Sequence, residues 1–430
     1  MKKLIALALL SSGCAAPRRE PVIPPPEAAY RGPSVRVPET PPPGPAKEMT
    51  LEQALALAEK LHPELAVARA RIEAAEGRAV QAGLYPNPEL VARMEVAPIH
   101  GGTADQAEYV VGLSQRVPVG GRLGAAVRVE ELERGRLLKE LEAMRIGIRS
   151  RVHGAFAAAL YMEEAARLQA AALRIAEGGV AVTRARHAAG DALPEDVARV
   201  EMEELRVRLE RDRALSLREA TFVALAATLG DPGLRIGSVA GAIEGALEIP
   251  ALESLLAALG QNPLVEAAEA GVAVERAREE LARAQRIPDV NLDLFYRRQE
   301  ASRTDAFDAG ISVAIPLFDR NQGRIREARA ETAAAEARVR ATRNDLERQV
   351  RESHLRLARA MSHARLLKDE VLPRADTVLR GTETRYGGGD LGLAEVLAVR
   401  REHGAARLSY LESLREVMEA WAVLRAFLGN

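Results

Sequence analysis

The sequence predicts a mainly α protein with a small β part: duplicated long α-hairpins and two β-hairpins. Three observations carry this. Aromatics make up only 3% of the chain, while Ala, Leu, Arg and Glu dominate, a balance that favours long helices over a compact mixed domain. No proline lies between Pro118 and Pro194, nor between Pro316 and Pro373 apart from those ends. Proline breaks helix interiors, so such gaps are where long helices fit. Finally, landmarks recur: "HPEL" at Pro63 and "NPLV" at Pro263, then Pro88 and Pro288, Pro118 and Pro316, and "RHAAGDALPEDV" from Arg186 against "RYGGGDLGLAEV" from Arg385. The offsets are 200, 200, 198 and 199, which marks an internal duplication far longer than a solenoid unit.

The first elements lie outside the duplication. Lys2 and Lys3 precede an apolar run over 4–10, then Ser11, Ser12, Gly13 and Cys14. This is a charged region, a short apolar region and small residues before a cleavage point. Cys14 is the only cysteine and cannot form an internal disulfide. The arrangement resembles a bacterial lipoprotein signal, which implies a signal peptide over 1–13 and a lipidated Cys14. An ordinary secretory signal with an incidental Cys is the other reading. Eleven of the 23 prolines fall between Pro17 and Pro45, so 14–47 reads as an extended tether without a core of its own.

Two repeats follow, over 48–232 and 251–430, joined by a linker over 233–250. Each opens with a short helix, the first capped by Thr50, and a second helix that starts at Pro63 or Pro263. Two strands come next: about 88–97 and 107–117 in the first repeat, and about 288–297 and 307–316 in the second. Leu90, Ala92 and Met94, then Tyr109, Val111 and Leu113, alternate with polar residues, as do Val290, Leu292, Leu294 and Tyr296, then Phe307, Ile311 and Val313. Period-2 alternation over about 10 residues matches a tilted transmembrane strand, although a hairpin lying on a helical core would alternate too. Six of the fourteen aromatics fall in or beside these segments, which suits an interfacial girdle.

Long helical hairpins over 121–229 and 320–428 complete the repeats. Leu137, Leu141, Met144, Ile148 and Val152 step by threes and fours, a coiled-coil-like seam. Pro373 predicts a kink in the second hairpin. Both outgoing helices end at Gly-Asp turns, where Gly190 and Gly389 supply a permissive backbone and Asp191 and Asp390 stand where the return helices could be capped. Four strands cannot close a barrel, and an open edge within lipid is forbidden. If the strands span, copies of the chain must combine. Two copies give eight strands and a filled interior; three give twelve and a passage.

Together "HPEL", "NPLV", "YPNPEL", "LSQRVPVGGR", "VAIPLFDRNQG" and "RYGGGDLGLAEVL" resemble the TolC family of outer-membrane efflux channels, and the "PNPEL" and "VPVGGRL" segments are most similar to its heavy-metal branch. The resemblance covers about 48–430. It implies a homotrimer whose α-barrel is continuous with a 12-stranded transmembrane β-barrel in outer-membrane lipid. It implies no cofactor and no catalytic centre. A periplasmic adaptor and an inner-membrane pump of the resistance–nodulation–division type are the implied partners, and metal cations are one possible cargo. The adaptor-facing tip residues it implies are Arg186, Gly190, Asp191, Leu193, Arg385, Gly389, Asp390 and Leu391. Glu195, Asp196 and Glu395 join Asp191 and Asp390 as tip carboxylates. These would form acidic rings under threefold symmetry, or serve as helix N-terminal groups, and the two roles are compatible. Arg385 is a candidate partner for one of them.

Other classes find little support. A net charge of −1 and the lack of a basic patch with interleaved aromatics give no reason to expect nucleic acid. The seven His show no metal-ligand spacing, and no P-loop, dinucleotide fingerprint or nucleophile elbow is present, so no enzyme is expected. A lipid-anchored periplasmic coiled-coil scaffold or adaptor without a channel is the alternative; it leaves the duplicated strand pairs unexplained.

Overall fold

A computed structural model describes residues 48–95, 106–241 and 249–427. The signal peptide, Cys14 and the tether lie outside the described residues.

The chain enters at β1 (Glu48–Thr50) and turns directly into α1 (Leu51–Leu61). Thr50 caps this helix reciprocally: the Gln53 amide donates to Thr50 Oγ1 at 3.3 Å, and the Thr50 amide donates to Gln53 Oε1 at 3.2 Å. Next is α2 (Pro63–Gly83), with proline at its first position. His62 caps it through Nδ1, which accepts from the Glu64 amide at 3.3 Å. The second repeat does the same with a different residue. Asn262 Oδ1 accepts from the Leu264 amide at 2.9 Å at the start of α6 (Pro263–Ala284), which follows the short α5 (Leu252–Ala258).

Strands β2 (Glu89–Glu95) and β3 (Glu108–Val117) form one antiparallel hairpin; β5 (Val290–Gln299) and β6 (Thr304–Val313) form the other. The hairpins join through β3 and β5, giving a four-stranded sheet in the order β2-β3-β5-β6. The second hairpin is shifted from the expected 288–297 and 307–316. Its turn is tight, with Gln299 opposite Thr304 and Arg303 at φ 49°, so pairing starts three residues earlier and Ile315 falls beyond the strand. Sequence alternation alone does not fix where such a turn closes. The first strand begins at Glu89 rather than 88, and its expected end at 97 lies outside the described residues.

From the first hairpin the chain passes through Gly121, at φ 73°, into α3 (Arg122–Ala188). The equivalent place before α7 (Gln322–Leu366) is filled by Asn321 at φ 57°. Both junctions need a left-handed residue, and Asn tolerates that region better than most. Helix α3 is unbroken for 67 residues, about 100 Å at 1.5 Å per residue. Its expected seam is buried at Leu137, Leu141, Ile148 and Val152, but Phe156, Leu160 and Leu173 are buried as well. The helix is enclosed on more than one side, because α2, α4 (Pro194–Thr228), α6 and α9 (Leu393–Phe427) all pack on it.

In the second repeat the disturbance expected at Pro373 takes the form of a π segment, Leu367–Val371, before α8 (Leu372–Gly387). Proline has no N–H for the carbonyl one turn back, and widening that turn accommodates the loss.

Two cores result. One gathers Leu65, Ile148, Val152, Phe156, Phe222, Leu225 and Leu229; the other gathers Leu255, Val265, Val350, Leu357, Val417 and Leu424. The expected linker is partly structured: β4 (Ser238–Ala240) pairs in parallel with β1. Three residues carry too little pattern to mark a strand in sequence.

Candidate passage: strand face and hairpin tips

The sheet has two chemically distinct faces. Register places Val117, Val290 and Val313 in one row, then Leu292 and Ile311, then Leu90, Leu113 and Leu294, then Val111, Tyr296 and Phe307. Leu90, Phe307 and Ile311 are each at least three-quarters exposed, an unusual state for large apolar groups side by side. Tyr296 and Phe307 meet edge to face at 5.8 Å. This face fits lipid. The opposite face carries Glu89, Arg93, Glu95, Glu108, Ser114, Asp293, Arg297 and Asp308. Ser114 donates to Asp293 at 2.6 Å across β3 and β5. Phe295, also on the polar face, lies across Gly112, where an added Cβ would come within 2.4 Å of the ring; Arg93 stacks 5.2 Å from the ring centroid.

The helical hairpins end in turns built alike. Gly190 at φ 86° lets its amide donate to His187 O at 3.0 Å and the Asp191 amide to Arg186 O at 2.8 Å. Gly389 at φ 84° allows the same pair of bonds, to Tyr386 O at 3.1 Å and from Asp390 to Arg385 O at 2.9 Å. These bonds satisfy carbonyls that a helix end leaves unpaired. Asp191 therefore closes the preceding helix and does not cap the next. Leu193 occupies the N-cap of α4, and its amide donates to Asp196 Oδ2 at 3.3 Å. The reason is spacing: Asp196 sits three residues into the helix, within reach of that amide. Glu195 shares the first turn of α4 and Glu395 that of α9, both favourable to the helix dipole. Leu193 is 65% exposed, and Leu391 lies half-buried in the second turn.

The structure joins some tip residues and leaves others apart. Arg186 reaches Tyr386 of the other repeat, with Nη1 3.4 Å from the phenolic oxygen. Among the described residues Arg385 forms no ion pair with a tip carboxylate; it is exposed in the last turn of α8. His187 is exposed at the turn, with Nδ1 2.8 Å from Ala192 O.

Sequence reading missed the clasps behind the tips. Arg184 of α3 pairs with Glu201 of α4 at 2.6 Å. The same positions of the second repeat hold Glu383 of α8 and Arg400 of α9, at 2.8 Å, with the charges exchanged. Both pairs span 17 residues and straddle a turn, and that symmetric spacing was the available signal. His403 and Asp376 add a contact at 2.6 Å, which holds the Asp376 carboxyl below the usual range. Between α3, α4, α8 and α9 lies a cleft of about 1080 Å³ lined by Leu168, Ile175, Val200, Arg206, Arg400 and His403, among others.

Two halves of the chain, residues 54–231 and 255–430, match the family described as outer membrane efflux protein. The chain belongs to that family. Its two matched segments fall on the two repeats. As a member of the family the chain is an outer-membrane efflux channel protein. It is 27% identical over 385 residues to the cobalt-zinc-cadmium resistance protein CzcC of Cupriavidus metallidurans, covering 90% of this chain and 91% of that one. Protein CyaE of Bordetella pertussis is 28% identical over 433 residues, covering 94% and 90%. Among solved structures, CusC superposes with a TM-score of 0.69 at 17% identity, over 90% of this chain and 93% of that one, a likeness of fold. No helix among the described residues is long and apolar enough to cross a membrane, which says nothing of a β-barrel.

Proposed function

We propose that three copies of this chain form a twelve-stranded barrel in the outer membrane and a periplasmic helical tunnel, the exit conduit of a tripartite efflux system for divalent metal cations. The observation that carries the reading is the sheet itself. Strands β2 and β6 are its edges, each paired on one side only, and its exposed apolar face demands lipid. Open edges within lipid are forbidden, so β6 of one copy pairs with β2 of the next.

The strand-to-helix junctions support the same assembly. In the first repeat, Gly120 packs against Ile287 at the end of α6. In the second, Leu317 and Phe318 are 63% and 91% exposed, so their cover comes from the end of α2 in a neighbouring copy. Met202, Leu205 and Leu209 form a further exposed apolar stripe along α4, suited to lateral contact. A metal cargo rests on the named role of the relative CzcC. An adaptor and a resistance–nodulation–division pump complete the system, with the adaptor at the tips formed by Arg186, Gly190, Asp191, Leu193, Arg385, Gly389, Asp390 and Leu391. Cys14 carries the lipid that holds each copy to the membrane. The protein acts by conducting and performs no chemical step.

The test has two arms. Outer-membrane fractions should contain SDS-resistant trimers that conduct in planar bilayers, and a deletion strain should lose tolerance to a divalent metal such as zinc, cobalt or cadmium. A lone soluble rod would return the reading to a lipid-anchored scaffold. Trimers with unchanged metal tolerance but lowered drug tolerance would retain the channel and replace the cargo. Asp390→Ala bears on the tips separately: unchanged conductance and selectivity would remove that carboxylate from the entrance.

A further inference from the structure

Arg297 stands on β5, on the polar face, one row short of the end farthest from the helices. Its guanidinium reaches all three other strands of the sheet. Nη1 donates to Glu95 of β2 at 3.1 Å and to Glu108 of β3 at 2.7 Å, while Nε donates to Asp308 of β6 at 2.8 Å. Gln299 donates to the other oxygen of Glu108 at 2.7 Å, and Arg93 pairs with Glu95 at 2.6 Å.

Three carboxylates from three strands thus meet on one guanidinium, two at Nη1 and one at Nε. Several carboxylate oxygens around a common centre are what a divalent cation takes as ligands. Here the centre is already filled by the chain's own cation. Arginine remains protonated at any pH the channel meets, and its planar fork serves several carboxylates at once. Side-chain exposure is 26% for Arg297 and 19% for Glu108, rising to 41% for Asp308, so the cluster lies along the wall of the sheet with its β6 side open to water.

We propose that Arg297 is a built-in counter-ion that keeps the outer part of the passage from trapping exported cations, and thereby sets the permeation selectivity of the channel. The proposal rests on the cation-conducting reading above. A conduit must bind its cargo weakly enough to release it. Without Arg297 each copy would expose Glu108 and Asp308 unpaired, with Glu95 held by Arg93 alone. Around a threefold axis those groups would make the outer rows strongly negative.

The experiment compares wild type, Arg297→Lys and Arg297→Gln in planar bilayers, first in a KCl gradient and then with ZnCl₂ added. Arg297→Gln should raise the potassium-to-chloride permeability ratio several-fold and be blocked by zinc at concentrations that leave wild type open. Arg297→Lys should stay near wild type. Arg297→Gln channels with wild-type selectivity and no zinc block overturn the proposal. Should Arg297→Gln not assemble, the variant that also carries E95Q, E108Q and D308N removes the charges needing a counter-ion. That variant should assemble and conduct without zinc block; its failure to assemble would make Arg297 a structural staple and overturn the selectivity role. A wild type that forms no channel would instead refute the conduit.

Discussion

Arg186 and Tyr386 stand 200 residues apart in the chain and meet at the hairpin tips, with the guanidinium 5.8 Å from the ring centroid and Nη1 3.4 Å from the phenolic oxygen. The contact ties the end of α3 to the end of α8, and so one repeat to the other. An exposed cation–π contact contributes about 0.5–1 kcal/mol. Tyr386→Ala should therefore favour a splayed tip about two- to fivefold. Single-channel recordings should show longer open dwells; dwell times equal to wild type would remove the contact from the entrance. Tyr386→Phe should keep most of the effect, because the ring remains.

The two clasps offer a charge-exchange test. Arg184–Glu201 and Glu383–Arg400 occupy the same places in the two repeats with opposite polarity. Exposed ion pairs of this kind contribute about 0.2–1 kcal/mol. Reversing one pair as R184E/E201R should leave thermal stability of the trimer near wild type, whereas R184E alone should lower it by placing two carboxylates opposite each other. Equal melting of the single and double variants would show that the pair contributes nothing.

Gly230 holds the turn after α4 against the elbow between α1 and α2. Its φ is 95°, and an added Cβ would fall 2.7 Å from the Cα of His62, a backbone atom that cannot yield easily. Gly230→Ala thus combines a left-handed penalty with a backbone clash, on the order of 1–3 kcal/mol or more. At Gly190 the φ is 86° but nothing lies within 4 Å, so Gly190→Ala should cost less. Heat-induced dissociation of the trimer on gels would rank the two; the reverse order would contradict the packing.

His62 and Asn262 cap equivalent helices through different atoms, Nδ1 and Oδ1. His62→Asn should be tolerated, and His62→Ala should destabilise by about 1 kcal/mol. Chemical denaturation followed by Trp421 fluorescence or helical circular dichroism would measure both. An Ala variant as stable as wild type would show that the cap contributes nothing.

His153 predicts a pH dependence. Burial pushes its imidazole below the ordinary value of 6.5, and Arg425 and Arg149 push it further the same way. Below pH 6.5 the unfolded chain binds a proton that the folded chain resists. Stability should accordingly fall as pH drops from 6.5 towards the lowered folded value, and level off below it. His153→Gln should flatten that part of the profile in thermal melts taken across the window. An identical slope in the variant would assign the dependence to other groups.

Much of the architecture was legible because its signals are local. Proline spacing marked both long helices, period-2 alternation marked the strands, and the Gly-Asp turns marked both tips. Hairpin ends were less legible: the tight turn closed by Arg303 moved β6 forward by three residues, since alternation specifies which side a residue faces but not where pairing begins. At the tips, Asp191 looked like a cap, but backbone geometry gave that task to Asp196, three residues after the N-cap Leu193.

By itself the sequence determined the duplicated order of elements, the apolar and polar faces of the strands, and the places where helices must stop. Each follows from periodicity or from a residue's own backbone limits, which act over a few positions. Tertiary structure alone decided that β3 joins β5, that β1 finds β4, that Arg186 meets Tyr386, and that Arg297 gathers Glu95, Glu108 and Asp308. Those partners lie up to about two hundred residues apart, and no local pattern records which distant side chain will be brought within hydrogen-bond reach.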